Sequence, residues 1–194
     1  MRLAKLLGDT ISNIDVDVSL LDLNVAGVTC DSRKLNNDYL FGALPGSKTD
    51  GRKFIESAIA GGATIILAPI GTKGKLGCKV PIIEHENVRK AFAILASNFY
   101  CAQPELVALV TGTNGKTSVV NFAHQMWSRL GVRSANIGTL GIQENNRDFS
   151  QESMACLTTP EPADLYNMVS NLTKKDINYL AIEASSHGLS QHRL

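Results

Sequence analysis

Leu106-Val107-Ala108-Leu109-Val110-Thr111-Gly112-Thr113-Asn114-Gly115-Lys116-Thr117-Ser118 is the stretch whose reading decides the fold. Its first five residues are an unbroken apolar run, the pattern of a buried strand in a parallel sheet. Thr111 to Gly115 then places two glycines and an asparagine in a tight turn, where Gly112 and Gly115 can take backbone angles that a Cβ disfavours. Lys116, Thr117 and Ser118 open a segment with helical spacing. A strand, a glycine-rich turn and a helix opening on Lys-Thr build a phosphate cradle. Backbone N–H groups and the positive end of the helix dipole face an anion there. The lysine ammonium can reach terminal phosphates and the threonine hydroxyl can ligate Mg²⁺. The run G-T-N-G-K-T is shorter than the common G-x-x-x-x-G-K-[ST] pattern, so a plain helix start with a surface lysine is the competing reading.

Working outward, 194 residues suffice for one large or two small domains. A hydrophobic content of 44% against 19% charged residues is that of an ordinary globular chain. The net charge of +1 gives no sign of a nucleic-acid partner or an anionic membrane. Apolar runs such as Ala63 to Ala68 are too short to span a bilayer. Lys5 and Asp9 interrupt the apolar core that a signal peptide needs. The expectation is therefore a cytoplasmic protein. Cys30, Cys78, Cys101 and Cys156 are scattered and form no C-x-x-C pair, which reads as reduced, mostly buried thiols.

Before the cradle, the pattern predicts a short helix at Leu3, Leu6 and Leu7. Strands are expected at Val25 to Thr29, Tyr39 to Leu44, Ala63 to Ala68 and Val80 to Ile83. Helices are expected around Phe54 to Ile59, ended by Gly61-Gly62, and along Val88, Ala91, Phe92, Leu95 and Phe99. Cys101-Ala102-Gln103-Pro104-Glu105 breaks the pattern, and a domain boundary is placed there. After the cradle helix, Arg133 to Thr139 returns to strand and Asn145-Asn146-Arg147 to turn. Thr158-Thr159-Pro160-Glu161 reads as a helix start with a threonine cap. Ile177 to Ala184 is a further buried strand. The fold class is α/β: a small N-terminal α/β domain, residues 1–103, followed by a parallel-sheet domain with a P-loop-type turn, residues 104–194. Ligands of such sheets bind beyond the carboxyl ends of the strands, so the loops after Val110, Ile137 and Ile182 should share one crevice.

Several residues could carry chemistry. Glu183 ends an apolar strand, and a buried carboxylate needs a partner. Mg²⁺ held by Thr117 and nucleotide phosphates would supply one, and a solvated strand end capped by Ser185 or Ser186 is the alternative. His187 is either a group that serves the substrate or a turn histidine. Gln191, His192 and Arg193 form a polar cluster that suits a carboxylate or phosphate, or else an exposed helix start. Asp31-Ser32-Arg33 is either an Asx turn or an anion site. Thr158 and Thr159 are either a cap or ligand groups.

Taken together, D-S-R at 31–33, P-G-S-K-T-D-G at 45–51, T-G-T-N-G-K-T at 111–117, G-T-L-G at 138–141, T-T-P at 158–160 and E-A-S-S-H-G-L-S-Q-H-R-L at 183–194 resemble the Mur ligases. The last segment is the marker of their UDP-N-acetylmuramoyl-tripeptide synthetase branch, MurE. The resemblance implies an ATP-dependent ligase of peptidoglycan synthesis, with ATP and Mg²⁺ as cofactors. The γ-phosphoryl group would pass to the D-Glu carboxylate of UDP-MurNAc-L-Ala-D-Glu. The acyl phosphate would then be attacked by a diamino acid, meso-diaminopimelate or L-Lys. By the same resemblance Gly112, Thr113, Asn114, Gly115, Lys116, Thr117 and Ser118 bind ATP, and Thr117 and Glu183 serve Mg²⁺. Lys116, Glu183 and His187 are the catalytic candidates. Cys30, Ser32, Ser47, Lys48 and Thr49 fall where the family holds the uridine diphosphate end. Thr158, Thr159, Ser185, Gln191 and Arg193 fall where it holds the muramoyl-dipeptide end.

The family's carbamylated lysine and the domain that reads the incoming amino acid lie beyond Leu194. Residues 1–194 alone are therefore expected to be an inactive, monomeric portion of such a ligase, with one sheet edge uncovered. Another ATP-dependent ligase, of the MurF or folylpolyglutamate type, and a non-catalytic nucleotide- or UDP-sugar-binding remnant are the rival readings.

Overall fold

The computed structural model describes residues 1–8, 16–46, 49–73, 80–102, 104–144, 147–148 and 157–194. Ser47 and Lys48 lie outside the described residues, as do Cys78, Cys156, Asn145 and Asn146. The chain divides into two compact units, Met1–Phe99 and Tyr100–Leu194, and each has its own apolar core.

The first unit opens with α1 (Leu3–Leu7), whose three leucines are buried. Four strands follow, β1 (Gly27–Thr29), β2 (Tyr39–Gly42), β3 (Ala63–Pro69) and β4 (Ile82–His85), with α2 (Ile55–Ala60) between β2 and β3. They pair in the order β1-β2-β3-β4, all parallel. Parallel neighbours need a crossover, and a helix is the common means of making one. Both sheet faces are then covered, which is why Ile65, Ile66, Leu67 and Ala68 are buried consecutively rather than alternately. Phe41, Ile55, Ala58, Ile66 and Ile82 belong to one core cluster. α3 (Val88–Tyr100) closes the unit and buries Val88, Ala91, Phe92 and Leu95 on one face.

The second unit is a five-stranded sheet of order β5-β9-β6-β7-β8. Its strands are β5 (Leu106–Val110), β6 (Ser134–Gly138), β7 (Gly141–Glu144), β8 (Arg147–Asp148) and β9 (Tyr179–Glu183), and its helices are α4 (Lys116–Arg129), α5 (Pro162–Thr173) and α6 (Ser186–Ser190). β5, β9 and β6 run parallel, whereas β7 and β8 are antiparallel additions at the far edge. Ala135, Ile137, Leu165, Val169, Leu172, Leu180 and Ile182 form the core.

Four expectations need correction. β4 starts two residues later than the apolar pattern suggests, after Pro81, which has no N–H to give a sheet ladder. The antiparallel hairpin of β7 and β8 was not expected, because its residues are mixed in polarity. α5 begins at Pro162 with Glu161 at the cap position and no side-chain cap, so Thr158 and Thr159 do not cap it. β5 is the strand the sequence predicts, but it lies at the sheet edge and is not buried: Leu109 is 51% exposed. Its run of apolar residues on both faces asks for cover that the described residues of this unit do not bring to it. Among the described residues no helix is long and apolar enough to cross a membrane.

Candidate functional site

β5, β9 and β6 are parallel neighbours, so their carboxyl ends come to one end of the sheet. Val110 pairs with Glu183, and Ile137 pairs with Ile182. The loops after Val110, Gly138 and Glu183 therefore emerge side by side, as the rule for such sheets requires.

The loop after β5 is exposed from Thr111 to Gly115. Gly112 has φ +149° and Gly115 φ +81°, and both are left-handed conformations that favour glycine. Gly115 also stands at the cap of α4, where a residue with a polar side chain would otherwise close off the first N–H groups. No side chain caps the first N–H groups of this 14-residue helix. Lys116 folds back across the loop, and its ammonium donates to the Gly112 carbonyl at 2.7 Å. Thr117 follows it in the first turn.

Glu183 occupies the last position of β9, between β5 and β6, and is 1% exposed. Its carboxylate accepts the Thr139 N–H at 3.1 Å through Oε1 and the Thr139 hydroxyl at 3.1 Å through Oε2. Ser185 and Ser186 are not what holds it, contrary to one of the sequence readings. Gly138 lies against the carboxylate so closely that a Cβ there would overlap it. Both donors from Thr139 are neutral, and among the described residues no ammonium or guanidinium pairs with Glu183. A buried anion without a positive partner is costly, and a hard cation fits it. Among the described residues no group of three or more His, Cys, Asp or Glu could hold a metal alone, so such a cation needs further oxygens, which phosphates offer.

A second network begins one residue away. The Thr139 and Thr158 hydroxyls are 3.3 Å apart. Thr159 is buried; its hydroxyl accepts the Ser185 N–H at 2.9 Å and donates to the Glu183 carbonyl at 3.0 Å. Ser185 in turn caps α6, accepting the Gly188 N–H at 3.0 Å. Arg193 is 8% exposed. Its guanidinium donates to the Thr159 carbonyl at 2.9 Å, to Gln191 Oε1 at 2.8 Å and to Glu161 Oε1 at 2.8 Å. Arg193 and Gln191 thus clamp the 159–161 turn and do not form an exposed fork. Arg193 Nε and Glu161 Oε2 are buried without a hydrogen-bond partner, a situation native structures mostly avoid away from functional places. His187 is exposed on α6 beside this network.

In the first unit, Asp31 accepts the Arg33 N–H at 3.0 Å and grips the Arg33 guanidinium with both oxygens at 2.8 Å. The pair holds the Asp31 carboxyl below its usual range. This is the Asx-turn reading, with Arg33 already engaged and Cys30 and Ser32 half-buried around it. The Gly46 N–H donates to the Thr49 carbonyl at 3.0 Å. Arg89 from α3 donates twice to the Pro45 carbonyl, at 2.7 and 3.0 Å. Thr49 is exposed.

Sequence reasoning missed Thr139, Glu161 and Arg89 as individuals. None of them interrupts a periodicity, and only a tertiary contact reveals each.

A parallel α/β sheet with a glycine-rich turn into a helix at its carboxyl end, set beside a buried carboxylate, defines a P-loop-like α/β protein. Two family models match it, "Mur ligase family, catalytic domain" over residues 24–100 and "Mur ligase middle domain" over residues 110–194. The chain belongs to the Mur ligase family. It is 44% identical over its whole length to the UDP-N-acetylmuramoyl-L-alanyl-D-glutamate--2,6-diaminopimelate ligase of Bradyrhizobium diazoefficiens, of which it covers 38%. A solved structure of a ligase of the same name matches all of the chain with a TM-score of 0.81 and 25% identity, again over 38% of that protein. The MurF ligase of Thermotoga maritima, solved in complex with ADP, shares the fold at a TM-score of 0.53 and 21% identity, with 85% of this chain covered and 33% of that one.

Proposed function

We propose that this chain carries the precursor- and ATP-binding part of a ligase that joins diaminopimelate to UDP-MurNAc-L-Ala-D-Glu. The observation that supports it most is the place of Glu183, an unpaired buried carboxylate between the loop at Gly112–Gly115 and the Thr158–Thr159 turn. The diamino acid is taken from the name of the relative at 44% identity. Residues 1–103 act as the domain for the uridine diphosphate end, with Cys30, Ser32, Ser47, Lys48 and Thr49 as contacts. Residues 104–194 act as the ATP domain.

Gly112 to Ser118 hold the ATP phosphates through backbone N–H groups and the Lys116 ammonium. Thr117 and Glu183 hold Mg²⁺, which would neutralise charge on the transferring phosphoryl group. Thr158, Thr159 and Ser185 orient the muramoyl-dipeptide end, and Arg193 and Gln191 keep that turn in shape. His187 serves the substrate side. The protein works as a cytoplasmic monomer on these small molecules.

Calorimetric titration tests the reading. UDP-MurNAc-L-Ala-D-Glu, and separately ATP with Mg²⁺, should each bind the chain. Ser32→Ala should weaken the precursor about tenfold, as loss of a hydrogen bond to a charged ligand does, and leave ATP unchanged. Binding of neither ligand, or a Ser32→Ala effect on ATP alone, would overturn it.

A further inference from the structure

We infer that Thr139 is the positioning residue for Glu183, and that its hydroxyl is the joint between the Mg²⁺ side of the site and the precursor side. The inference rests on the reading of Glu183 as a Mg²⁺ group. Three observations carry it.

The first is that Thr139 bonds both carboxylate oxygens at once, the N–H to Oε1 and the hydroxyl to Oε2, each at 3.1 Å. Two donors from one residue fix the plane of the carboxylate as well as its position. The second is that the Glu183 carboxylate lies where a Cβ of residue 138 would stand, so only a glycine there leaves it room. Together, Gly138 and Thr139 form a seat at the end of β6 for the last side chain of β9. The third is the 3.3 Å separation of the Thr139 and Thr158 hydroxyls. A hydroxyl donates one hydrogen bond. A carboxylate is a stronger acceptor than a second hydroxyl. Thr139 therefore gives its proton to Glu183 and accepts from Thr158. The chain Thr158, Thr139, Glu183 is polarised in one direction, and a ligand that takes the Thr158 proton weakens the donor at Glu183.

The experiment measures ATP affinity of the chain by titration, with Mg²⁺ and with EDTA, for wild type, Thr139→Val, Thr139→Ser and Glu183→Gln. Valine keeps the shape and the backbone N–H and removes the hydroxyl. Thr139→Val should lower the Mg²⁺-dependent gain in ATP affinity about tenfold, the usual consequence of losing a charge-assisted hydrogen bond. Its affinity in EDTA should equal wild type, which also reports an intact fold. Thr139→Ser should restore the Mg²⁺-dependent gain. Glu183→Gln should abolish that gain. If Glu183→Gln abolishes it and Thr139→Val does not change it, the role of Thr139 is overturned and the Mg²⁺ reading of Glu183 survives. If Glu183→Gln matches wild type, or if wild type shows no Mg²⁺-dependent gain, the underlying reading falls, and this inference with it.

Discussion

At Gly138 the structure has room for a hydrogen and nothing larger, because the Glu183 carboxylate lies where a Cβ would go. Gly138→Ala is expected to cost roughly 1–3 kcal/mol, the range for overpacking a rigid site. Glu183→Ala in the same background should recover much of that loss, since it empties the contested space. Urea unfolding of the four proteins of this cycle checks it, and strictly additive losses would show that the two residues do not compete. Lys116 makes a different kind of prediction. Its ammonium lies over the Gly112 carbonyl at the mouth of the loop. Lys116→Ala should weaken ATP strongly and UDP-MurNAc-L-Ala-D-Glu little, because the uridine end is assigned to the other unit. Equal losses for both ligands in calorimetry, with the fold intact, would count against this division. At this scale the sequence was informative where a residue broke a pattern. Glu183 stood out because a carboxylate ended an apolar strand. Thr139 did not, because a threonine at a strand end is ordinary, and its meaning comes from a residue 44 positions away.

Among the elements, α4 and β6 are joined by a buried polar pair. His124 on the inner face of the helix is 2.9 Å from the Ser134 hydroxyl, and both are shielded from solvent. Burial pushes the His124 pKa below 6.5. The unfolded chain then takes up a proton before the folded one. The contribution of His124 is fully present above pH 6.5, is lost as pH falls toward the folded-state pKa, and stays level below it. His124→Gln keeps hydrogen-bonding capacity without this titration, and should flatten the stability profile in that window. Urea midpoints measured across mildly acid pH test it, and an unchanged slope would remove His124 from the account. Asp31 and Asp50 are held below 3.8 by Arg33 and Arg52, so their losses fall in a separate, more acid range. The type and order of the main elements were legible because strand and helix periods differ. The edges were less so. Pro81 delayed β4, and the start of α5 was misplaced because Thr158-Thr159-Pro160 imitates a cap while Pro162 is the true first residue. Thr159 is bonded instead to Glu183 of β9 and to Ser185 at the cap of α6, and Thr158 to Thr139 after β6, partners distant in sequence that no local rule anticipates.

For the molecule as a whole, the second unit exposes several large apolar side chains. β5 exposes Leu106, Val107 and Leu109, α4 exposes Val119, Phe122 and Met126, and Leu130 is exposed at its C-terminal cap. A hollow of about 290 Å³ lined by Val107, Leu109, Leu165, Val169, Ile182 and Leu194 lies on the same unit. The first unit has a filled core and a four-stranded sheet of its own. Residues 1–194 as an isolated polypeptide are therefore expected to lose the second unit first in urea, to hold the precursor through the first, and to hold ATP weakly. They are also expected to catalyse no ligation, even with ATP, Mg²⁺, UDP-MurNAc-L-Ala-D-Glu and diaminopimelate all supplied. Ligation requires an acyl phosphate and an amine in near-attack geometry, and such positioning supplies on the order of 7–11 kcal/mol of the barrier. The groups proposed here account for the phosphate and the precursor, and none of them is placed to orient an amine. This chain covers 38% of the relative at 44% identity, so that protein has further polypeptide for the task. Isotope-labelled diaminopimelate and mass detection of the product decide the matter. Formation of the UDP-tripeptide by residues 1–194, without any added fragment, would show that amine orientation resides in this region after all.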